Sequence, residues 1–529
     1  MTVSSPPGVR LVIALLLLAA GLIGLRGMAS LPPDEHEILV LRTTHEMHAR
    51  GDWIVPYFND EPRLKKPPLS YWLTGLAAAV SGAEGQVVAW HGRLPSWLAG
   101  LAIAAMLLSL GRRFYGERAA LYAAAMFVGS VGFFTYSHDG RPDFLYAALC
   151  TAGWLAGAVA LLEAKGAQRR PVILMWLAFA LATLAKGPHI PFMLLVAMAL
   201  YCVTREPRLS PRVLRPLMGV TLVAAVTVPW WLALHARIDP TAVRGSQLAG
   251  RLLVPRMNHL FNGYYLYRPL QLLLPWVPLA PLAWWAAVRR GDGARPFTVY
   301  LLFCVGAVAF GLSLGVQQRF FYMLPVMPAL CLLAGHGLAR LELERPRLAV
   351  GVAILQALLV AGGAGWLFWS QHEPLFALLA LAAALGAAWL GARALSSLTL
   401  GAVLAVLVLT AGSFARYADG TALWSVARYH RHALAAATVR AVSAAEPLFS
   451  YALTPVLYIQ VTGRGIPEFQ TVNALEKAMD ERRLGQAYVL APVKRRPELE
   501  QRFKLRELAI MPRKANDRAA LFLISRQRQ

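Results

Sequence analysis

Residues 31–72 read LPPDEHEILVLRTTHEMHARGDWIVPYFNDEPRLKKPPLSYW, a dense block of acids, bases and aromatics in an otherwise oily chain. Asp34 and Glu35 open it, and Lys65 and Lys66 precede Pro67-Pro68. Farther on, Asp143 follows His138-Asp139-Gly140-Arg141-Pro142, and Lys186 opens a Lys-Gly-Pro break. Arg251, Arg256 and His259 share a polar stretch, and Arg319 and Tyr322 lie in QQRFFYMLPVMP. Cations of this kind suit a phosphate group. Carboxylates suit a general base or a stabiliser of positive charge. Each residue alone has a plainer reading. A basic residue beside a membrane is commonly a headgroup contact. Asp139 reads as a turn residue, and Asp34-Glu35 as a helix cap. His36, His45 and His48 read as interfacial polar residues rather than a metal site. The set carries more than its members. It names no cofactor and no metal site, and leaves a divalent metal requirement open.

The elements that carry these residues follow from hydropathy. Mean hydropathy is +0.50 and 57% of residues are hydrophobic. Apolar runs of about 18–22 residues, enough to cross a bilayer core, recur along the chain. We expect a polytopic α-helical membrane protein with thirteen spans, near 9–29, 92–111, 118–138, 143–163, 171–185, 188–203, 214–235, 269–288, 296–314, 320–340, 348–369, 375–392 and 395–412. The formal charge is +24. Its bases gather in alternate short loops (Arg112, Arg113 and Arg118; Arg205, Arg208, Arg212 and Arg215; Arg289, Arg290 and Arg295). That is the positive-inside asymmetry. It argues against nucleic acid as the partner and puts the N-terminus in the cytoplasm. Two long loops, 30–91 and 236–268, then face outward with the candidate residues.

Within the first loop, 34–50 is expected to form an amphipathic surface helix with Glu35, Glu37, Arg42 and Glu46 on its polar face. Segment 69–81 is apolar but too short to span, and is expected along the interface. The chain divides into a membrane part, 1–412, and a tail, 413–529. The tail has short apolar stretches at Pro447–Leu453, Ala487–Leu490 and Ala520–Ile524, with helix-like runs at Val472–Leu484 and Arg496–Phe503. It reads as a small α/β domain on the outer, periplasmic side. The four cysteines, Cys150, Cys202, Cys304 and Cys331, lie in apolar runs and read as small buried hydrophobes.

Asp34-Glu35, Met47, Gly51-Asp52-Trp53, Pro56, Lys66-Pro67-Pro68-Leu69 and Tyr71-Trp72 stand in an order that resembles the first outer loop of the lipid-carrier-dependent glycosyltransferases of the GT-C class. The pattern is most similar to the bacterial lipid A aminoarabinose transferase family, with the protein O-mannosyltransferases more distant. Leu184-Ala185-Lys186-Gly187-Pro188, Arg319…Tyr322-Met323-Leu324-Pro325…Pro328 and Pro275-Trp276 echo that family farther along. The resemblance implies a GT-C fold in the bacterial inner membrane. It implies an inverting transfer of a sugar from an undecaprenyl-type polyprenyl phosphate to lipid A, another envelope glycan or a protein at the outer face. It implies Asp34 as principal catalytic carboxylate, with Asp143 and Glu35 beside it. Lys66, Arg251 or Arg256, Tyr322, Lys186 and Arg319 would hold the donor phosphate among membrane lipids. Two departures stand out. The family's Asp-Glu-x-Arg-Tyr is here Asp34-Glu35-His36-Glu37-Ile38, and its Tyr-Phe-Glu before Lys-Pro-Pro is Arg63-Leu64-Lys65. They imply a different sugar or acceptor from aminoarabinose and lipid A. A flippase of lipid-linked sugars also fits the spans and cations, but not the gathering of carboxylates with cations on one face. A scaffold protein would tolerate Asp34→Asn.

Overall fold

The computed structural model describes residues 25, 27–83, 86–163, 169–238, 263–289, 294–315, 318–370, 374–394, 397–418, 425–511 and 518–526. The helices are α1 (Glu35–Arg50), α2 (Leu69–Val80), α3 (Ala89–Tyr115), α4 (Glu117–Val128), α5 (Val131–Ser137), α6 (Asp143–Leu162), α7 (Arg169–Ala185), α8 (His189–Thr204) and α9 (Pro216–His235), followed by a second helical half from 264 to 418. Six described helices are long and apolar enough to cross a membrane, and the pair α4 and α5, bent by 57°, would make a seventh. Other expected spans appear as shorter apolar helices, 189–204, 377–389 and 398–411. The chain is a polytopic helical membrane protein. The first expected span, 9–29, lies almost wholly outside the described residues.

One expected span is corrected. Residues 269–288 form no single helix: a 3-10 turn covers Arg268–Leu273 and an α-helix only Ala280–Val288. Pro269, Pro275, Pro278 and Pro281 each remove a backbone donor, so the i to i−4 ladder breaks. The Lys186-Gly187-Pro188 break is real, with Gly187 at φ +123° between α7 and α8, a conformation open to glycine and strained for other residues.

The last hundred residues hold a five-stranded mixed sheet in the order β4-β3-β5-β7-β6, comprising β3 (Leu448–Tyr451), β4 (Glu468–Phe469), β5 (Gln486–Pro492), β6 (Phe503–Ile510) and β7 (Ala519–Arg526). β3 pairs in parallel with β4 and β5, and β7 runs antiparallel to β5 and β6. The expected helix over Arg496–Phe503 stops at Glu500, and the chain turns into β6. The alternating FKLRELAI run suits an edge strand with one face to water.

A small hairpin, β1 (Tyr57–Phe58) and β2 (Glu61–Pro62), fastens this unit to the segment before α2. Its two-residue loop has Asn59 at φ 57° and Asp60 at φ 66°, residues that accept the left-handed region. Asn59 Nδ2 donates to the Ile466 carbonyl at 3.1 Å and its Oδ1 accepts from Ile466 N–H at 2.9 Å. Glu46 accepts the N–H of both Asn59 and Asp60 and the Nε of Arg42, and Arg42 also donates to the Gly463 carbonyl. The expected polar face of a surface helix is therefore corrected for two of its members, while Glu35 stays exposed. Glu46 and Glu37 are buried, because each carboxylate has cationic and backbone donors within reach.

Glu37 makes the deeper connection. It is 2% exposed and receives Arg93 Nε at 2.7 Å and Nη2 at 3.0 Å, while Arg93 is 0% exposed. Arg93 Nη1 also donates to the carbonyls of Gly27, Met28 and Leu31. Removing one partner of such a pair strands the other charge. Arg93→Met is expected to destabilise the fold by about 3–5 kcal/mol, and the Glu37→Gln/Arg93→Met double variant to recover part of that loss. Thermal unfolding in detergent checks both, and a single variant melting with wild type would show that the pair holds nothing.

Candidate functional site

Asp34 is the N-cap of α1. Its Oδ1 accepts from His36 N–H at 2.8 Å and Glu37 N–H at 2.9 Å, and Glu37 Oε2 accepts the N–H of Asp34 at 3.0 Å. The acidic pair at three-residue spacing forms a capping box. Glu37 Oε1 also accepts the N–H of Gly140 at 3.0 Å. The loop 138–142 between α5 and α6 is thus tied to the start of α1. Ser96 Oγ on α3 donates to the Asp139 and Arg141 carbonyls at 2.6 and 3.2 Å. Gly140 lies against the backbone of Gly92, where an added Cβ would stand 3.2 Å from a main-chain carbon.

That loop presents Asp139 and Arg141. Asp139 Oδ1 accepts Arg141 N–H at 3.0 Å and Oδ2 accepts Arg141 Nε at 2.5 Å, with a second bond from Nη2. The guanidinium also lies 4.0 Å from Asp143 Oδ2 and over the Tyr136 and Phe321 rings at 5.5 and 5.3 Å. Burial pushes Asp139 up to about 7, helped by the charges of Asp34 and Glu37 and opposed by Arg141. Burial alone would lower Arg141, but Asp139 and Asp143 more than reverse it, so it stays charged.

Asp143 is buried in the first turn of α6, where the helix dipole favours an anion. Its Oδ1 meets Lys186 Nζ at 2.5 Å. The same helix places Lys186. Tyr146, one turn on, donates its hydroxyl to the Gly187 carbonyl at 3.0 Å and accepts Ile190 N–H at 3.1 Å, straddling the break after α7. Lys186 Nζ lies 4.6 Å from the Tyr322 ring centre. Lys66 joins from the segment before α2. Burial lowers its pKa to about 8, with Asp143 pulling it up and Lys186, Arg141 and Arg63 pushing it down. His36 is lowered too, first by burial and then by Arg141, with Asp34 opposing.

The structure therefore brings Asp34, Glu35, Lys66, Asp143, Lys186 and Tyr322 into one electrostatic neighbourhood. Glu35 is exposed on the first turn of α1, within electrostatic reach of His36. Arg319 is exposed at the start of the 3-10 turn Phe320–Val326, and its N–H donates to Tyr265 Oη at 3.1 Å. Arg251 and Arg256 lie outside the described residues. Sequence reasoning missed Glu37 and Arg93, whose partners are far apart in the chain, and assigned no role to Arg141. Asp139, read as a turn residue, does shape a turn, and it is also a buried partner of Arg141. Among the described residues, no group of three His, Cys, Asp or Glu side chains is placed to hold a metal ion.

The other motif residues act as fasteners. Asp52 Oδ1 caps Ile54 N–H and Val55 N–H and pairs with Arg237 at 2.7 Å. Trp72 Nε1 donates to the Trp53 carbonyl at 2.7 Å, and Trp230 Nε1 to the Ile54 carbonyl at 3.0 Å. They pin the segment that carries Lys66 against α2 and α9.

Residues 65–232 match the family described as dolichyl-phosphate-mannose-protein mannosyltransferase. An undecaprenyl phosphate-alpha-4-amino-4-deoxy-L-arabinose arabinosyl transferase of Pseudomonas fluorescens is 28% identical over 66% of this chain and 62% of its own length. A second, from Sodalis glossinidius, is 26% identical over 66% of this chain and 64% of its own. The chain thus spans just under two thirds of the length of these relatives. Crystal structures of ArnT from Cupriavidus metallidurans, apo and bound to undecaprenyl phosphate, superpose with a TM-score of 0.72, at 18% and 19% identity, over 97% of both chains. The chain resembles the GT-C lipid-carrier glycosyltransferases of the aminoarabinose transferase and protein mannosyltransferase superfamily, and its fold is that of ArnT.

The Lys66 environment predicts a titration. As pH rises through about 8, Lys66 loses its proton well below the usual lysine range. Acylation of Lys66, followed by mass spectrometry across pH, should show that midpoint. Asp143→Asn, which removes the charge that pulls it up, should move the midpoint lower. A midpoint in the ordinary lysine range would contradict this environment.

Proposed function

We propose that this chain is a membrane-embedded glycosyltransferase that moves one sugar from a polyprenyl-phosphate donor of the undecaprenyl type to an acceptor at the outer face of the bacterial inner membrane. One observation carries the reading. Lys66, Arg141 and Lys186 gather around Asp143, beside Tyr322 and near the capped Asp34. The relatives' names add the undecaprenyl-phosphate donor. In this reading the N-terminus is cytoplasmic, and 413–529 forms a periplasmic domain above the membrane part, 1–412.

The chemistry follows from charge. As the glycosidic bond breaks, negative charge grows on the leaving phosphate. Cations placed there stabilise the transition state more than the ground state. Asp143 holds Lys186 and draws on Lys66, which keeps both cations oriented before the donor enters. Tyr322 would donate to a phosphate oxygen. Asp34 would accept the proton of a hydroxyl acceptor. With a phosphate acceptor it would instead orient the nucleophile or stabilise positive charge on the sugar. The acceptor is lipid A, another envelope glycan or a protein. The departures from the family pattern that the resemblance implies, at residues 36–38 and 63–65, would suit a different sugar or acceptor specificity.

Purified protein with labelled polyprenyl-phosphate sugars and a membrane extract tests this. Wild type is expected to transfer sugar and release polyprenyl phosphate. Losing one phosphate-binding cation, in Lys66→Ala or Arg141→Ala, should slow turnover roughly a hundred- to a thousand-fold. Asp34→Asn should abolish transfer to a hydroxyl acceptor. Donor that crosses reconstituted vesicles without being consumed would mark a flippase instead. Donor binding should weaken above about pH 8 as Lys66 loses its charge, and Lys66→Ala should remove that limb of the profile.

A further inference from the structure

A cavity of about 1510 Å³ opens between the hairpin β1–β2 and the C-terminal sheet. Its walls include Phe58, Glu61, Arg63 and Lys65 on one side and Glu468 and Gln470 on the other. Three observations give it meaning. Its volume exceeds the roughly 300–1,000 Å³ of a typical small-molecule site, so it suits something larger than one sugar. Its two walls are held in register by the reciprocal Asn59–Ile466 bonds and by Glu46, so the gap is built rather than left by loose packing. Lys65, which lines it, is the residue before Lys66, so one short stretch of backbone separates this cavity from the cation cluster.

The lining also narrows the chemistry. Four acids, four bases and two amides share the lining with twelve apolar residues, Phe58 the one aromatic among them, and neither sign of charge is in command. A polyanion or a polycation would meet like charges on part of its surface. A carbohydrate, with hydroxyls around apolar ring faces, meets both kinds of wall: charged and amide groups for its hydroxyls, and Phe58 with the leucines and prolines for its ring faces. We propose that this groove binds the carbohydrate of the acceptor, a glycan of several sugar residues, and presents its nucleophile to the site behind Lys66. The proposal rests on the transferase reading for its purpose, though not for the binding itself.

Glu61 and Gln470 are exposed, on opposite walls, and Glu61→Ala/Gln470→Ala should fold as wild type does. Both proteins are reconstituted in nanodiscs and titrated with two probes, purified envelope glycolipid and the oligosaccharide released from it. Wild type is expected to bind, and the variant to bind at least ten-fold more weakly. In transfer assays the variant's KM for acceptor should rise while kcat at saturating acceptor holds. Variant-sensitive binding of the released oligosaccharide identifies the glycan itself as sufficient; variant-sensitive binding of glycolipid alone identifies a glycolipid headgroup. Equal affinity in wild type and variant, or no binding of either probe by wild type, overturns the groove. Groove binding without transfer would count against the transferase and leave the groove standing.

Discussion

The buried pair of Glu37 and Arg93 is the constraint on which the rest of the site depends. Neither charge tolerates burial alone, because the desolvation cost is recovered only with full pairing. Glu37 therefore fixes three things at once: Arg93 on α3, the Asp34 cap, and Gly140 in the loop before α6. Arg93 in turn gathers the carbonyls of residues 27, 28 and 31. Segments from three parts of the chain meet at one carboxylate. The positions of Asp34, Asp139 and Arg141 follow from that meeting.

The second feature is an excess of positive charge held close together. Lys66, Lys186 and Arg141 repel one another, and the depressed pKa of Lys66 records this after burial is counted. Asp143 offsets part of the repulsion, and the Tyr322 and Phe321 rings, facing Lys186, offset a little more. An anion entering such a site finds cations already oriented, so little reorganisation is needed when charge develops. The hairpin latch extends the same economy outward. Glu46 and Asn59 spend side-chain hydrogen bonds on backbone groups, and so hold the C-terminal sheet at a set distance from the cation cluster.

Much of this was legible in the amino-acid order. Apolar run length gave α3, α6, α8 and α9 to within a few residues. Apolar stretches too short to span gave β3, β5 and β7. Asp34, Lys66, Asp143, Lys186 and Tyr322 stood out because charge or a ring beside an apolar run is unusual. The broken segment 269–288 carried its own signal in four prolines, which hydropathy averaging hides. β6 was hidden because an exposed edge strand with Lys504, Arg506 and Glu507 resembles a polar helix over a short window.

The sequence by itself determined which segments are apolar enough to leave water and which residues could bear charge at their ends, since both depend on local composition. The tertiary structure decided which charges are paired. Glu37 and Arg93 are 56 residues apart, Glu37 and Gly140 103, and Asn59 and Ile466 407. Periodicity assigns such residues to a wet face or a turn, because it cannot see a partner brought in from another helix. Burial of Glu37 and Glu46, and the neighbourhood that makes Arg141 part of the site, depend on those distant partners, since only a packed fold brings opposite charges together out of water.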